Sequence, residues 1–260
     1  MKKFYLNLLF LLLALLFGVS CFSYAGSLSP KAEYKLGNKY NYGLNGTKKN
    51  YAEAVLWYKK SARKGYINGQ LYLGYAYFYG RGVKRDYYKA FYWLKKAAEK
   101  GDTNAQVYVS GMYFYGQGVR KNHAKSMYWL RKAAADGNAY AQYSLGHMFF
   151  LGIGVEKNYP KAVYWENKAA DQGIAYAQLE LGGMYIFGKG VKKNYPEAFY
   201  WLKKSAEQGN DKGELGLGLL YYLGYGVPQN TSKALYWLHK SAAQGNPGAK
   251  HILKKLFKTR

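Results

Sequence analysis

The tryptophans of this chain recur at a constant spacing of 36 residues, and no tryptophan lies outside that series. They are Trp57, Trp93, Trp129, Trp165, Trp201 and Trp237. A fixed period of this length predicts a solenoid, in which one supersecondary unit is copied and stacked. Each copy of a solenoid contacts its neighbours, and the stack presents a long surface rather than one enclosed catalytic cleft.

The segment around each tryptophan begins and ends at recurring residues. An Asn or Asp stands seven positions before each tryptophan, where its side chain can cap a helix N-terminus. A glycine stands eight positions after it, where a left-handed residue ends a helix. Between them lie about four turns of helix, for example residues 87–100, and Pro160 and Pro196 fall in the first turn, where proline is tolerated. The predicted caps are Asn50, Asp86, Asn122, Asn158, Asn194 and Asn230.

A second amphipathic segment fills the rest of each copy, for example residues 68–79. Leu73 and Tyr77 are four residues apart, on one helical face, and their copies keep this spacing. Glycine inside this helix costs about 1 kcal/mol relative to alanine, so its repetition predicts close contact between helices. The Gly-x-Gly-Val loop that follows lacks the Lys and Ser/Thr of a phosphate-binding P-loop and is interpreted as a turn. The helical glycines are Gly74, Gly146, Gly182 and Gly218.

These patterns predict an all-α solenoid of about six helix–turn–helix repeats over residues 26–257. The first copy is irregular, because its loop contains one extra residue. The final segment keeps the register of a first helix but is rich in lysine, as expected for a C-terminal capping helix. The predicted units are 31–65, 66–101, 102–137, 138–173, 174–209 and 210–245, with a cap at 246–257.

The repeated Leu-Gly-x-x-Tyr, Gly-x-Gly-Val and Ala-x-x-Trp-x-x-Lys-Ala-Ala-x-x-Gly pattern resembles the Sel-one-like repeat (SLR) family, relatives of tetratricopeptide solenoids. Residues 89–101 match it closely, and the resemblance covers about residues 31–257. It implies a right-handed α/α superhelix that acts as a scaffold for other proteins, often exported or in the bacterial envelope. One exported branch has a disulfide in each repeat. This chain lacks those cysteines, so the penicillin-binding or β-lactamase activity of that branch is not carried over.

The N-terminus has the order of a signal peptide, predicted at residues 1–25. Lys2 and Lys3 form a basic start, residues 6–17 are hydrophobic, and small residues precede a cleavage site after Ala25. The hydrophobic run is short for a span of about 20 residues, which argues against an uncleaved membrane anchor. No stable membrane span is expected in the mature chain. The predicted location is periplasmic or secreted.

Lipidation at Cys21, the one cysteine of the chain, is the alternative to simple cleavage. Cleavage after Ala25 would instead leave a mature chain without cysteine. Disulfides would then be impossible, and stability would come from helix packing alone.

The net charge of +25 falls to +23 when Lys2 and Lys3 are removed with the signal peptide. Such a charge favours acidic partners. Export and the absence of a nucleic-acid motif argue against nucleic acid, which leaves anionic lipid headgroups, envelope polymers or an acidic protein. An alternative is that Lys, Tyr and Asn are abundant because an AT-rich genome encodes them.

The tryptophan helix has two predicted faces. The tryptophans share one face with small residues and are expected to form core. The other face carries lysines and a series of tyrosines, and this Lys/Tyr ridge either binds an anionic polymer through cation–π contacts or is simply a solvated surface. The tyrosines are Tyr92, Tyr128, Tyr164, Tyr200 and Tyr236.

Glu166 occupies a position that is Tyr58 in the first copy and leucine in four others. We expect its side chain either to reach solvent at a local distortion or to pair with a nearby lysine. A catalytic role is not assigned to it, because the sequence places no second carboxylate or histidine beside it.

The first helix of each copy is expected to line the concave side, where its variable positions would bind a partner protein. Tyrosine suits this role because it offers a large amphipathic contact area. No catalytic, metal or cofactor site is predicted. The functions left open are a non-enzymatic protein-binding scaffold, a binder of anionic polymers and a regulator of a cell-wall enzyme. The candidate partner-binding residues are Tyr72, Tyr75, Tyr79, Tyr108, Tyr115, Tyr140, His147, Tyr176 and Glu180.

Overall fold

The structure, a computed structural model, describes residues 28–258, with side chains as far as Leu256. The predicted signal peptide and Cys21 lie outside the described residues. Within them the chain forms helices and no strand. The helices are α1 (Pro30–Tyr42), α2 (Tyr51–Arg63), α3 (Ile67–Tyr79), α4 (Tyr87–Glu99), α5 (Thr103–Tyr115), α6 (His123–Ala135), α7 (Ala139–Leu151), α8 (Tyr159–Asp171), α9 (Ala175–Phe187), α10 (Tyr195–Glu207), α11 (Asp211–Leu223), α12 (Thr231–Ala243) and α13 (Pro247–Lys258).

The chain divides into two compact units, Met1–Arg85 and Asp86–Arg260. In the first unit, α2 packs against both α1 and α3. Tyr58 of α2 is buried, and its ring lies over Gly37 of α1, where any side chain would overlap it.

In the second unit, each helix from α4 to α13 packs against the next. A β-carbon at Gly182 would lie 2.7 Å from Cγ of Leu202, and one at Gly218 would lie 2.9 Å from Cγ of Leu238. These glycines therefore allow the close approach of helices that the sequence predicted. The all-α solenoid of helix-pair repeats is confirmed.

The predicted helix ends are also confirmed. Each Asn or Asp cap accepts a hydrogen bond from the backbone N–H three residues later, with N···O distances of 2.9–3.2 Å. The glycine beyond each second helix has a φ of +80° to +96°, a left-handed conformation that favours glycine. Short local signals therefore set the boundaries of the repeated helices.

The prediction that all six tryptophans are core residues is corrected for four of them. Trp129 and Trp201 are buried, with 8% and 6% exposure. The others are half-buried, and in two of them a lysine amino group covers the ring, at 4.2 Å from the centroid of Trp57 and 4.8 Å from that of Trp237. An indole is wide enough for one edge to reach the core while the other remains near water. The half-buried tryptophans are Trp57, Trp93, Trp165 and Trp237.

The last helix keeps the register of a first helix, since Ala249 and Leu253 are buried. Asn246 caps it by accepting a hydrogen bond from the N–H of Ala249 at 3.1 Å. None of the helices in residues 28–258 has the length and apolar character needed to cross a membrane.

Candidate functional site

Glu166 lies on α8 and points into the protein interior. Its side chain is fully buried, and neither carboxyl oxygen has a hydrogen-bond partner among the described residues. Both sequence-based expectations, exposure to solvent and pairing with lysine, are therefore wrong. The backbone holds this position on the same inward face as the leucines of other copies. Gly146 of α7 makes room for it, because a β-carbon there would lie 2.7 Å from Oε1 of Glu166.

Glu180 of α9 is the second carboxylate that the sequence did not place beside Glu166. Oε1 of Glu180 lies 2.8 Å from Nδ1 of His147 and accepts a hydrogen bond of 3.3 Å from the hydroxyl of Tyr143. Oε2 lies 3.0 Å from the same histidine nitrogen. Glu180 and His147 were predicted as candidates, and Tyr143 was missed. We call Tyr143, His147, Glu166, Tyr176 and Glu180 the Glu180 cluster.

Burial, followed by the neighbouring charge of Glu180 and a hydrogen bond to it, raises the pKa of Glu166 to about 10. Glu166 is consequently protonated at neutral pH and can donate a hydrogen bond to the carboxylate of Glu180. The hydrogen bond to Glu180 raises the pKa of His147, although burial of the ring opposes this. Burial, followed by the charges of Glu180 and Glu166, raises the pKa of Tyr143. The site is therefore an anionic carboxylate surrounded by proton donors.

Aromatic rings form the wall of the cluster. The centroid of the Tyr143 ring lies 6.3 Å from that of Tyr176 and 5.8 Å from that of His147. Tyr176 is exposed, as is Tyr140 one turn before Tyr143 on α7. The structure thus brings together His147, Tyr176 and Glu180 from the predicted set.

The remaining candidates of the second unit lie on α5. Tyr115 is exposed and its ring meets that of Phe114 edge-to-face, with centroids 5.0 Å apart. Tyr108 is half-buried. Both residues stay candidates for partner binding only because they lie on a first helix.

The candidates of the first unit, Tyr72, Tyr75 and Tyr79 of α3, form a chain of ring contacts. Successive centroids are 5.8 Å and 6.4 Å apart, and the Tyr72 ring also lies 5.4 Å from that of Tyr58. They line a cavity of about 150 Å³ together with Arg81. Tyr79 is exposed, whereas Tyr72 and Tyr75 are half-buried and also support the packing of this unit.

The predicted Lys/Tyr ridge is exposed on the second helices. All five of its tyrosines are exposed. In three of them the lysine one turn later lies over the ring, at 4.9 Å for Tyr92, 5.1 Å for Tyr164 and 4.5 Å for Tyr200. In the other two copies the lysine lies over the neighbouring tryptophan instead, at 5.7 Å for Trp129 and 4.8 Å for Trp237. The exposed tyrosine and the lysine thus recur at the same positions in five copies, unlike the Glu180 cluster.

A signal for the Glu180 cluster was present in the repeat itself. Tyr143 stands where four other first helices have Leu71, Val107, Leu179 and Leu215, and Glu166 stands where four other second helices have leucine. Tyr143 and Glu166 lie on the consecutive helices α7 and α8. Departures on neighbouring helices indicate one site, because each helix of a solenoid packs against the next. Within residues 28–256, no group of three or more His, Cys, Asp or Glu side chains is arranged to hold a metal ion.

The repeats of this chain match a known family of repeat proteins. A family model described as the Sel1 repeat matches the chain six times, at residues 30–66, 67–102, 103–138, 139–174, 175–210 and 212–246. No match was found among curated proteins.

Two solved structures resemble the chain closely. A protective antigen present in uropathogenic Escherichia coli strains, displaying an SLR fold, is 38% identical with a TM-score of 0.83 over 89% of this chain. This chain spans only 49% of that protein. A Sel1 repeat protein from Oxalobacter formigenes is 36% identical with a TM-score of 0.81, over 89% of this chain and 67% of that one. An immunity protein from Pseudomonas aeruginosa, 19% identical over 85% of this chain and 84% of that one, shares the fold alone, with a TM-score of 0.53.

Proposed function

Because the chain belongs to the Sel1 repeat family, whose members generally act as scaffolds for protein interactions, we propose that it is an exported, non-enzymatic scaffold that binds a protein partner through its first helices. The observation that carries this proposal is the varied surface of those helices. α7 and α9 present exposed tyrosines beside a carboxylate and a histidine. Tyrosine is enriched at protein interfaces, and the carboxylate and histidine add polar groups that can select a partner.

The second helices differ, because five of them repeat an exposed tyrosine followed four residues later by a lysine. A partner that recognises one site needs a surface that varies along the stack, since identical copies offer several equivalent registers. The variation among Tyr140, His147 and Glu180 on the first helices meets this requirement.

The test compares two matched pairs of tyrosines in one unit. Tyr140→Ser with Tyr176→Ser changes first-helix residues that are 66% and 55% exposed. Tyr128→Ser with Tyr164→Ser changes second-helix residues that are 60% and 55% exposed. We expect the first pair to reduce capture of specific envelope proteins by at least about tenfold, a loss of about 1.4 kcal/mol, and the second to leave capture unchanged.

Capture is measured by quantitative mass spectrometry after cross-linking in envelope extract, with circular dichroism as the folding control. Equal capture by both variants and the wild-type protein contradicts binding through the first helices.

Export rests on the basic, hydrophobic and small-residue order of residues 1–25. We expect the protein recovered from the cell envelope to have the intact mass of a chain that starts at Gly26. A chain that starts at an acylated Cys21 would identify a lipoprotein instead. An uncut chain in the cytoplasm would contradict both forms of export. The protective antigen among its structural neighbours is consistent with a role in host contact.

Binding of an anionic polymer is the second candidate function, and the Lys/Tyr ridge is the observation that favours it. A regular row of lysines stacked on tyrosines matches the regular charges of a polymer. Such binding should weaken steeply as salt rises, because screening acts over about 10 Å at 0.1 M ionic strength. Substitution of Lys96, Lys168 and Lys204 with glutamine should weaken it further, whereas the Tyr140/Tyr176 variant should not.

A further inference from the structure

We propose that the Glu180 cluster is an anchor site for a basic side chain, lysine or arginine, presented by the protein partner. This inference rests on the proposed function, because it names the chemistry that the first-helix surface of the second unit would recognise. The site lies between α7, α8 and α9, entirely within that unit.

The first observation is that the cluster contains an incomplete hydrogen-bond network. Buried polar groups are nearly always hydrogen-bonded in folded proteins. Both carboxyl oxygens of Glu166 are buried without a donor among the described residues. A proton on Glu166 can satisfy one of them by donation to Glu180, and the other oxygen still lacks a donor. An ammonium or guanidinium group offers several N–H donors to such a pair of carboxyl groups.

The second observation is that the network can be reached from solvent. The side chain of Glu180 is 21% exposed and interacts with the buried Glu166. Tyr176 is exposed beside it, and its ring is tilted by 31° to that of Tyr143. A cation at Glu180 would also lie against these ring faces, where cation–π attraction adds to the ion pair. The methylene stem of a basic side chain would cover the exposed ring.

The third observation is that the fold does not require the acidic residues. Leucine occupies the Glu166 position in four other copies. Leu202 packs against Gly182 and Leu238 packs against Gly218, as Glu166 packs against Gly146. A buried carboxyl group costs free energy that leucine does not. The protein is otherwise strongly basic, and its field repels cations in general. The cluster is therefore a local acidic site on a surface whose net charge attracts anions.

Binding of a cation should be linked to proton release. A positive charge near Glu166 favours its ionised form, so the carboxyl group loses its proton more easily. The groups that interact with Glu166 are Glu180 from α9 and Tyr143 from α7. His147 in turn contacts Glu180, and Tyr176 contacts Tyr143. Protonated His147 competes with a cation for Glu180. Both effects have the same sign, so binding should strengthen as the pH rises.

The probes are N-acetyl-arginine methylamide and N-acetyl-lysine methylamide, with N-acetyl-glutamine methylamide as the uncharged control. Each is titrated into the full chain, and NMR follows the imidazole of His147, assigned with a His147→Asn variant. We expect both basic probes, but not the control, to shift this resonance. Their affinity should rise at least about threefold from pH 6 to pH 8, as expected when protonation opposes binding.

Variants test the two carboxyl groups separately. Glu180→Gln should weaken binding at least about tenfold, since it removes the charge that contacts the probe. Glu166→Leu, which restores the residue of the other copies, should weaken binding and reduce its pH dependence without unfolding the chain. Glu207→Gln is the matched control on an exposed carboxylate of the same unit and should change nothing.

Three outcomes would overturn the anchor site. The first is equal binding of the uncharged probe, and the second is unchanged affinity in Glu180→Gln. The third is a response to zinc chloride in place of the basic probes, which would identify a metal site. Failure of the proposed function would be seen in a different experiment. There the Tyr140/Tyr176 variant would still capture the same proteins as the wild-type chain.

Discussion

Replacement of Trp129 with alanine is expected to lower the free energy of unfolding by about 3–5 kcal/mol, the usual effect of emptying a large core position. Trp129 is buried and lies on α6 beside the buried Leu130 and Ala133. Its ring also meets that of Tyr128 edge-to-face, with centroids 5.3 Å apart. The neighbouring helices α5 and α7 limit how far the structure can collapse into the cavity that the substitution leaves.

Urea denaturation followed by circular dichroism measures this loss. Trp237→Ala is the matched control, because Trp237 occupies the same repeat position but is half-buried. Trp237→Ala should lower the free energy of unfolding by less than Trp129→Ala does. A loss below about 1 kcal/mol at Trp129 would contradict its assignment to the core, since large core truncations cost more than that. It would instead favour a ligand-stacking role for the tryptophans.

Glu166→Leu is expected to raise the free energy of unfolding by about 3 kcal/mol at pH 7. The folded state raises the pKa of Glu166 from 4.5 to about 10. Between these values the folded chain holds a proton that the unfolded chain releases, so wild-type stability falls as the pH rises. The expected slope is about 1.4 kcal/mol per pH unit. Leucine does not titrate and fits opposite Gly146, as Leu202 fits opposite Gly182.

Urea denaturation of both proteins at pH 4.5, 6 and 7.5 tests this prediction. The stability difference between the variant and the wild type should be small at pH 4.5 and grow with pH. A difference that is constant over this range would mean that Glu166 has the same pKa in the folded and unfolded chains. Glu207→Leu, at an exposed position, should show no such dependence.

The features that were predicted correctly arise from short-range interactions. The side chain of Asn122 caps a helix through a bond to a residue three positions away, and Gly137 ends it by its own backbone conformation. Such signals are complete within one repeat, and six copies repeat them. The fold class and the ends of the helices could therefore be derived without coordinates.

The tryptophans show that the 36-residue periodicity does not predict how deeply a side chain is buried. All six occupy the same position of the repeat, yet Trp129 and Trp201 are buried and the others are half-buried. A helical wheel assigns a side chain to a face, but the depth of burial depends on the neighbouring side chains of adjacent helices. The lysine three positions later does not decide this depth, because it lies over the buried rings of Trp129 and Trp201 as well as over the half-buried ring of Trp237.

The sequence by itself determined the repeat, the helices and their caps, and the candidate residues His147 and Glu180. Only the tertiary structure decided that these two residues meet and that Glu166 lies behind them. They stand 33 residues apart on different helices, and their contact exists because helix packing superimposes successive copies. The ionisation of Glu166 is likewise a tertiary property, since burial and the charge of Glu180, rather than its chain neighbours, hold its proton.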